Sequence, residues 1–334
     1  MERVVRVLVT GGAGYIGSHA CKALAAAGHT PIAYDSLRTG HRWAVRWGPF
    51  EHGDLLDASR LAAVMRAHRP DAVMHFAALA YVGESVEQPD LYYRVNVGGT
   101  LSLIEAMRTA GVGRFVFSST CATYGEPAVT PIAETAPQQP VNPYGRSKLM
   151  AEEILRDASR AYGLSVTALR YFNAAGADPD GELGEEHDPE THLLPLVLEA
   201  AAGLRPHIDI FGDDYPTADG TCVRDYIHVC DLAAAHVAAL DRAGPNAFAA
   251  YNLGVGRGAS VKAVIEAARR VTGREVPTRP AGRRPGDPPV LVADASLAGE
   301  ALGWTPQLPD LDSMIETAWA WMTRHRASAM SRTP

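Results

Sequence analysis

The stretch "RVVRVLVTGGAGYIG", residues 3–17, limits the fold more than any other. A short β-rich run ends in a loop holding Gly11, Gly14 and Gly17, and a helical pattern follows from Ile16 to about Ala27. Spaced glycines alone are a weak signal, because glycine is common in ordinary turns. Here they follow a strand and open a helix. In that setting glycines let the backbone approach a pyrophosphate, and the helix N-terminus favours its charge. The loop predicts a dinucleotide site with Gly11, Gly14, Tyr15, Ile16 and Gly17 against the cofactor. Asp35 ends the second strand, "TPIAYD". A carboxylate there accepts from both ribose hydroxyls of NAD and repels a 2′-phosphate, although the nearby Arg38 leaves NADP open.

The same rhythm continues. "DAVMHFAA", "RFVFSST" and "SVTALRYFN" read as strands, each preceded by a helical segment: Arg60–His68, Thr100–Ala110 and Ser147–Tyr162. Strands that are nearly all apolar and alternate with helices indicate a parallel sheet covered on both faces. Right-handed crossovers make it an α/β, doubly wound, Rossmann-type sheet. In "GDL", Asp54, with Leu55 beside it, either faces an adenine amino group or caps the next helix. "HFAAL" ends the fourth strand, so Phe76, Ala77, Ala78 and Leu79 either approach a cofactor closely or pack tightly. After Asn173 the pattern gives way to the polar "AAGADPDGELGEEHDPE". The expected division is a cofactor domain over 1–173, a smaller α/β substrate domain over 174–326, and a disordered tail over 327–334. Later segments such as "DYIHVCDLAAAH" are candidates to return to the first domain.

Charge and cysteine usage exclude several classes. A net charge of −7 argues against a nucleic-acid surface. No apolar run is long enough for a membrane span, and the N-terminus does not read as a signal peptide. Cys21, Cys121, Cys222 and Cys230 lack metal or redox-pair spacing, so no metal centre is expected and a reducing cytoplasm suits the chain.

The chemistry points to "PVNPYGRSK". Of 31 basic residues only Lys22, Lys148 and Lys262 are lysines. Lys148 stands one helical turn after Tyr144, so the two share a face. The strand end "SST" can aim Thr120 at the same spot. A tyrosine near pKa 10 is a poor base at neutral pH, but a neighbouring ammonium and a positive nicotinamide both favour phenolate. The expectation is a lowered Tyr144 pKa and a base that takes a proton from an alcohol while hydride leaves its carbon. The plain alternative is an exposed helix pair with no role.

The glycine loop with Y-x-x-x-K resembles the short-chain dehydrogenase/reductase superfamily in its extended form. "VTGGAGYIGSH", "HFAALAYVGESVEQP", "SSTCATYGEP", "NPYGRSK", "LRYFNAAGA", "DGTCVRDYIHV" and "YNLGVGRG" sharpen this. Together they resemble the UDP-glucose (UDP-galactose) 4-epimerases, from about residue 5 to residue 325. The resemblance implies an NAD-dependent isomerase that interconverts UDP-glucose and UDP-galactose at C4 through a 4-keto intermediate. "SSTCATYGEP" is also similar to UDP-xylose (UDP-arabinose) 4-epimerases, so pentose or N-acetylated UDP-sugars stay open. By the same resemblance Tyr144 is the base, Lys148 holds the cofactor, and Thr120 bonds the sugar 4-oxygen. Asn96, Tyr171 and Phe172 contact the cofactor, and Asn173 reaches the sugar or diphosphate. Phe211 lies against the uracil, Arg224 and Arg284 pair with the diphosphate, and Asp287 accepts from the uridine ribose. Guanidinium forks suit phosphate oxygens, which agrees with this, and surface salt bridging is the plain alternative. A cytoplasmic homodimer, paired through a four-helix bundle built from the helices near 100–110 and 147–162, is also implied.

The chain departs from the family at three places. Ala80 stands where some members have lysine. His192, beside Leu193, replaces an asparagine that contacts the nucleotide. Leu291 replaces a tyrosine that some bacterial members carry beside the sugar. A 4,6-dehydratase would need Asp-Glu after Thr120, where Cys121 and Ala122 stand. A non-catalytic NAD-binding protein would be expected to have lost Tyr144 or Lys148.

Overall fold

The apolar runs fold as strands and the amphipathic stretches as helices, in alternation. A computed structural model describes residues 4–242, 247–284 and 286–330. Its first half contains β1 (Arg6–Thr10), α1 (Tyr15–Ala26), β2 (Thr30–Asp35), β3 (Phe50–His52), α2 (Ala58–His68), β4 (Ala72–His75), α3 (Val82–Glu87), α4 (Pro89–Tyr92), α5 (Gly99–Ala110), β5 (Arg114–Thr120), α6 (Pro143–Tyr162) and β6 (Ser165–Tyr171). The second half contains β7 (Asn173–Ala175), α7 (Leu193–Ala201), β8 (Ile208–Phe211), β9 (Val223–His228), α8 (Val229–Arg242), β10 (Phe248–Leu253), β11 (Gly258–Ser260), α9 (Val261–Thr272), β12 (Thr278–Ala281), β13 (Val290–Leu291), α10 (Ser296–Leu302) and α11 (Leu311–Met330).

Seven strands form one sheet in the order β10-β6-β5-β4-β1-β2-β3. Every pairing in it is parallel. The order reverses at β1, with β2 on one side and β4 on the other, and ligands bind beyond the strand ends at such a switch point. The register aligns those ends: Thr10 pairs with Tyr34 and His75, and Thr120 with Tyr171. Strand side chains alternate between faces. Leu8, Ile32, Val73, Phe115 and Phe117 pack under α2, α5 and α6 through Leu61, Leu103 and Leu155. Val7, Val9, Met74 and Val116 pack under α1 and α8 through Leu24, Leu232 and Leu240. Each fully buried large side chain contributes roughly 1.5–3 kcal/mol.

The chain first leaves this sheet after Tyr171. β7 pairs with β9, which also pairs antiparallel with β11 and parallel with β13. β8 and β12 form a separate parallel pair. Val197, Leu198, Val264, Ile265 and Ile315 join α7, α9 and α11 in a second core. The return to the large sheet comes through α8 and β10, the latter pairing with β6. Of the segment expected to return, the "DYIH" part lies in β9 and stays with the second unit. α11 reaches Met330, so the tail expected from residue 327 begins as helix; residues 331–334 lie outside the described residues. Among the described residues no helix is long and apolar enough to cross a membrane.

Candidate active site

A cavity of about 500 Å³ opens over the switch point. The glycine loop forms its floor. Gly11 has φ +74°, and a Cβ there would lie 2.6 Å from the Ala77 nitrogen. A Cβ on Gly17 would meet the Gly11 carbonyl oxygen at 2.1 Å. These two glycines are therefore demanded by the protein's own packing. Gly14 is different: its Cβ would approach only the Gly11 oxygen, at 3.3 Å. Gly14 caps α1 without a side-chain hydrogen bond, so first-turn N–H groups of α1 lack a side-chain acceptor at that cap. Such a cradle fits a pyrophosphate.

Asp35 stands at the wall, 8% exposed. Its carboxylate accepts from Ala13 N at 3.0 Å and Leu37 N at 2.8 Å. Burial holds its pKa above the ordinary value, against those two donors. Asp54 and Leu55 also line the cavity. The helix-cap alternative for Asp54 falls away, because Asp57 caps α2 by accepting from Arg60 N at 2.9 Å. The Asp54 carboxylate accepts from Leu56 N at 2.8 Å, while its backbone carbonyl accepts from the Tyr34 hydroxyl at 2.7 Å. Tyr15, Ile16, Phe76, Ala77, Ala78, Leu79, Tyr171 and Phe172 line the same space. Asn96 does not. It sits in a π-helical turn, Tyr93–Gly98, and its amide clasps Leu79 through Leu79 N at 2.8 Å and Leu79 O at 3.0 Å. Asn96 thus positions a wall residue from behind.

Tyr144 and Lys148 enter from α6. Asn142 caps that helix by accepting from Gly145 N at 2.8 Å, and Pro143 occupies its first turn. Tyr144, Lys148 and Thr120 all line the cavity. Burial pushes the Tyr144 phenol well above its ordinary value; Tyr171 adds to the rise and a hydrogen bond with Thr120 opposes it. The lowering expected from the sequence counts on a positive nicotinamide as well as an ammonium, and the protein alone, through burial, pushes the other way. Lys148 donates to the Ser118 carbonyl at 2.8 Å. Burial also pulls Lys148 from 10.5 down to about 7, with Glu152 resisting. Both groups are held toward neutrality until a charge is brought in. Ser118, whose hydroxyl hydrogen-bonds Tyr171, was visible in "SST", but only Thr120 was singled out there.

The second unit supplies the far wall through Asn173, His192, Leu193, Arg224, Asp287 and Leu291. Asn173 donates to Asp225 O at 3.1 Å. Arg224 and Asp287, expected to meet separate parts of a nucleotide, are paired with each other at 2.6 Å. Phe211 and Arg284 do not line the cavity. The Arg284 guanidinium lies 3.9 Å from the Phe211 ring centroid and covers the face expected to receive a base. Leu291 is 8% exposed and packs with Cys121, Tyr124, Ile132 and Phe172. His192 bonds Glu190 and Glu185, each at 2.9 Å from Nδ1. Burial alone would lower both imidazoles, but Glu185 and Glu190 hold His187 up at about 9 and His192 at about 10. Glu185 and His187 were missed as wall residues. Their signal was the repeated Glu-x-His of "EEH" and "ETH", inside a stretch read only as a polar connector.

A family model described as the NAD dependent epimerase/dehydratase family matches residues 7–254. A UDP-glucose 4-epimerase of Rhizobium leguminosarum bv. trifolii is 52% identical over 318 residues, spanning 94% of this chain and 96% of that protein. The crystal structure of UDP-glucose 4-epimerase from Brucella ovis in complex with NAD superposes with a TM-score of 0.92 at 56% identity, covering 95% of this chain and 98% of that one. The UDP-glucose 4-epimerase from Bifidobacterium longum in complex with NAD+ and UDP has a TM-score of 0.93 at 39% identity, covering 96% of this chain and 99% of that one.

Proposed function

The chain belongs to the NAD dependent epimerase/dehydratase family, and from that premise we propose that it interconverts UDP-glucose and UDP-galactose by inverting C4 through a 4-keto intermediate. One observation carries this reading: Tyr144, Thr120 and Lys148 share a cavity with the glycine loop on one side and Arg224 on the other. NAD, when bound, supplies the acceptor and then the donor of the C4 hydride. The chain would hold it at the first turn of α1, where Gly14 leaves the helix cap without a side-chain acceptor and Gly11 and Gly17 keep the loop tight, and through the buried carboxylate of Asp35; the two suit a pyrophosphate and a ribose diol.

Tyr144 takes the proton of the sugar 4-hydroxyl and later returns it. Burial alone keeps the phenol neutral, so ionisation depends on positive charge arriving beside it. Lys148 in its protonated form contributes that charge. Thr120 hydrogen-bonds the same oxygen. Arg224 and Asp287 anchor the nucleotide, exchanging their mutual bond for bonds to diphosphate and ribose. Holding the substrate by its nucleotide leaves the sugar free to turn and present either face of C4.

The enzyme acts in the cytoplasm as a homodimer joined through α5 and α6. Leu101 and Met150 on those helices are each 45% exposed, which supports a covered face. Light scattering at micromolar concentration tests the dimer, and a monomer mass counts against it. The reaction is tested by incubating the purified protein with UDP-galactose and measuring UDP-glucose, beside a panel of UDP-pentoses and N-acetylated UDP-sugars. A faster rate on UDP-xylose would shift the assignment to the pentose.

A further inference from the structure

Outside the proposed chemistry, four side chains converge between β7 and α7. Glu185 and His187 come from one Glu-x-His stretch, Glu190 and His192 from the next. Residues two apart on extended chain share a side, so each stretch presents one carboxylate and one imidazole together. Glu186, between them, turns the other way and accepts from Trp43 at 3.2 Å. The four donor atoms all lie within 4.8 Å of one another. His192 Nδ1 is 2.9 Å from oxygens of both Glu185 and Glu190. His187 Nδ1 lies 3.3 Å from Glu185 and 3.5 Å from Glu190.

Those separations have a geometric meaning. Nitrogen and carboxylate ligands sit about 2.0–2.1 Å from zinc in a tetrahedron, which sets ligand-to-ligand edges near 3.3 Å. The two edges from Glu185 Oε1, 2.9 Å to His192 and 3.3 Å to His187, lie close to that value, and all four donors fall within 4.8 Å of one another, so a small inward shift would close them on one ion. Two further observations point the same way. His187 Nδ1 is buried and makes no hydrogen bond among the described residues, although it faces both carboxylates. Glu185 and Glu190 are only 8% and 9% exposed, and each faces both imidazoles, so four donor groups are brought together largely out of water. Buried charges are normally paired or bound to metal. Glu190 is further locked by accepting from Thr191 N at 2.7 Å and His192 N at 2.8 Å.

We propose that Glu185, His187, Glu190 and His192 form a four-coordinate site for a divalent transition-metal ion of the zinc class. Two carboxylates balance its charge, and two imidazoles give it the nitrogen donors that magnesium and calcium do not favour. All four positions are filled by protein, which marks a structural ion and not a catalytic one. The ion fastens the connector after β7 to the start of α7. Glu185, His187 and His192 also line the large cavity, so it sets the position of that wall. Tyr15 and Tyr81 pack edge-on against His187 at 6.5 and 6.1 Å between ring centroids and fix the orientation of its ring.

The test uses the full-length protein with its cofactor. The protein is freed of metal with a chelator, exchanged into clean buffer, and titrated with Zn²⁺ against a chromophoric zinc indicator, with Mg²⁺ as a comparison. One zinc per chain, submicromolar affinity, a rise in thermal midpoint with zinc and none with Mg²⁺ are expected. His187→Gln with His192→Gln, and separately Glu190→Gln, should weaken zinc binding at least a hundredfold while NAD retention reports that the fold persists. Less than one zinc per chain in the unsubstituted protein overturns the proposal, whatever the variants do. Equal zinc binding in the folded variants overturns it as well.

Discussion

Replacing Lys148 with methionine removes one ammonium from a largely buried place on the cavity wall. Lys148 is 4% exposed, and burial pulls its pKa from 10.5 to about 7. The unfolded chain keeps the ordinary value. Between pH 7 and 10.5 the unfolded state therefore holds a proton that the native state has released, and native stability rises with pH across that window. Below about pH 7 both states are protonated, and the full cost of burying the charge is felt. At about 1.4 kcal/mol per pKa unit, that cost reaches roughly 5 kcal/mol at most. The hydrogen bond to the Ser118 carbonyl, which methionine cannot make, is worth about 1 kcal/mol. Lys148→Met should thus stabilise the cofactor-stripped protein by roughly 2–4 kcal/mol at pH 6.5. The advantage should shrink as pH rises, and reverse slightly near pH 10. Guanidinium unfolding of both proteins from pH 6 to 10, compared at equal m-values, measures this. A difference that is flat with pH, or a variant less stable at pH 6.5, would refute the desolvation argument. The variant should also lose turnover, so the stabilisation would show that a lysine here serves the reaction at the expense of the fold.

Three further outcomes are expected. Tyr144→Phe should retain NAD and lose at least about a hundredfold in turnover, the lower range for removing a general base; near-normal turnover would remove Tyr144 from the chemistry. Gly17→Ala drives a methyl into the Gly11 carbonyl and should cost roughly 1–3 kcal/mol, whereas Gly14→Ala should keep the thermal midpoint and lose cofactor; equal midpoints would contradict the division between packing and ligand glycines. Leu291 is packed on its other sides, so Leu291→Tyr must extend into the cavity. Wild-type activity on UDP-N-acetylglucosamine, weaker than on UDP-glucose and lost in this variant, is expected. Its absence from the wild type, or indifference to the tyrosine, shows that Leu291 does not gate the pocket.

The large sheet was legible because its evidence is local: apolar strands and glycines after β1 each act within a few residues, although α6 begins at Pro143, before the Ser147 start read from the sequence. Tyr144, Lys148 and Thr120 were legible for the same reason, since helix spacing and a strand end place them. What escaped depended on distant partners. Arg224 meets Asp287 across 63 positions, and no spacing rule announces that pair. Arg284 covers Phe211 because two separate segments, β8 and the stretch after β12, lie side by side. The opposing pull of burial on the Tyr144 phenol was not legible either, because depth of burial is a property of the assembled fold. The Glu-x-His repeat was present in the sequence, but only folding closes its two halves onto one point.

The most direct measurement follows the hydrogen on C4. UDP-galactose carrying deuterium at that carbon is incubated with the purified protein in ordinary water, and the UDP-glucose formed is examined by mass spectrometry and NMR. The deuterium should remain on C4, because it leaves and returns within one closed site while only the hydroxyl proton passes through Tyr144 and exchanges. UDP-glucose with ordinary hydrogen at C4 would contradict inversion by hydride removal and return, and formation of no UDP-glucose would contradict the assigned reaction itself.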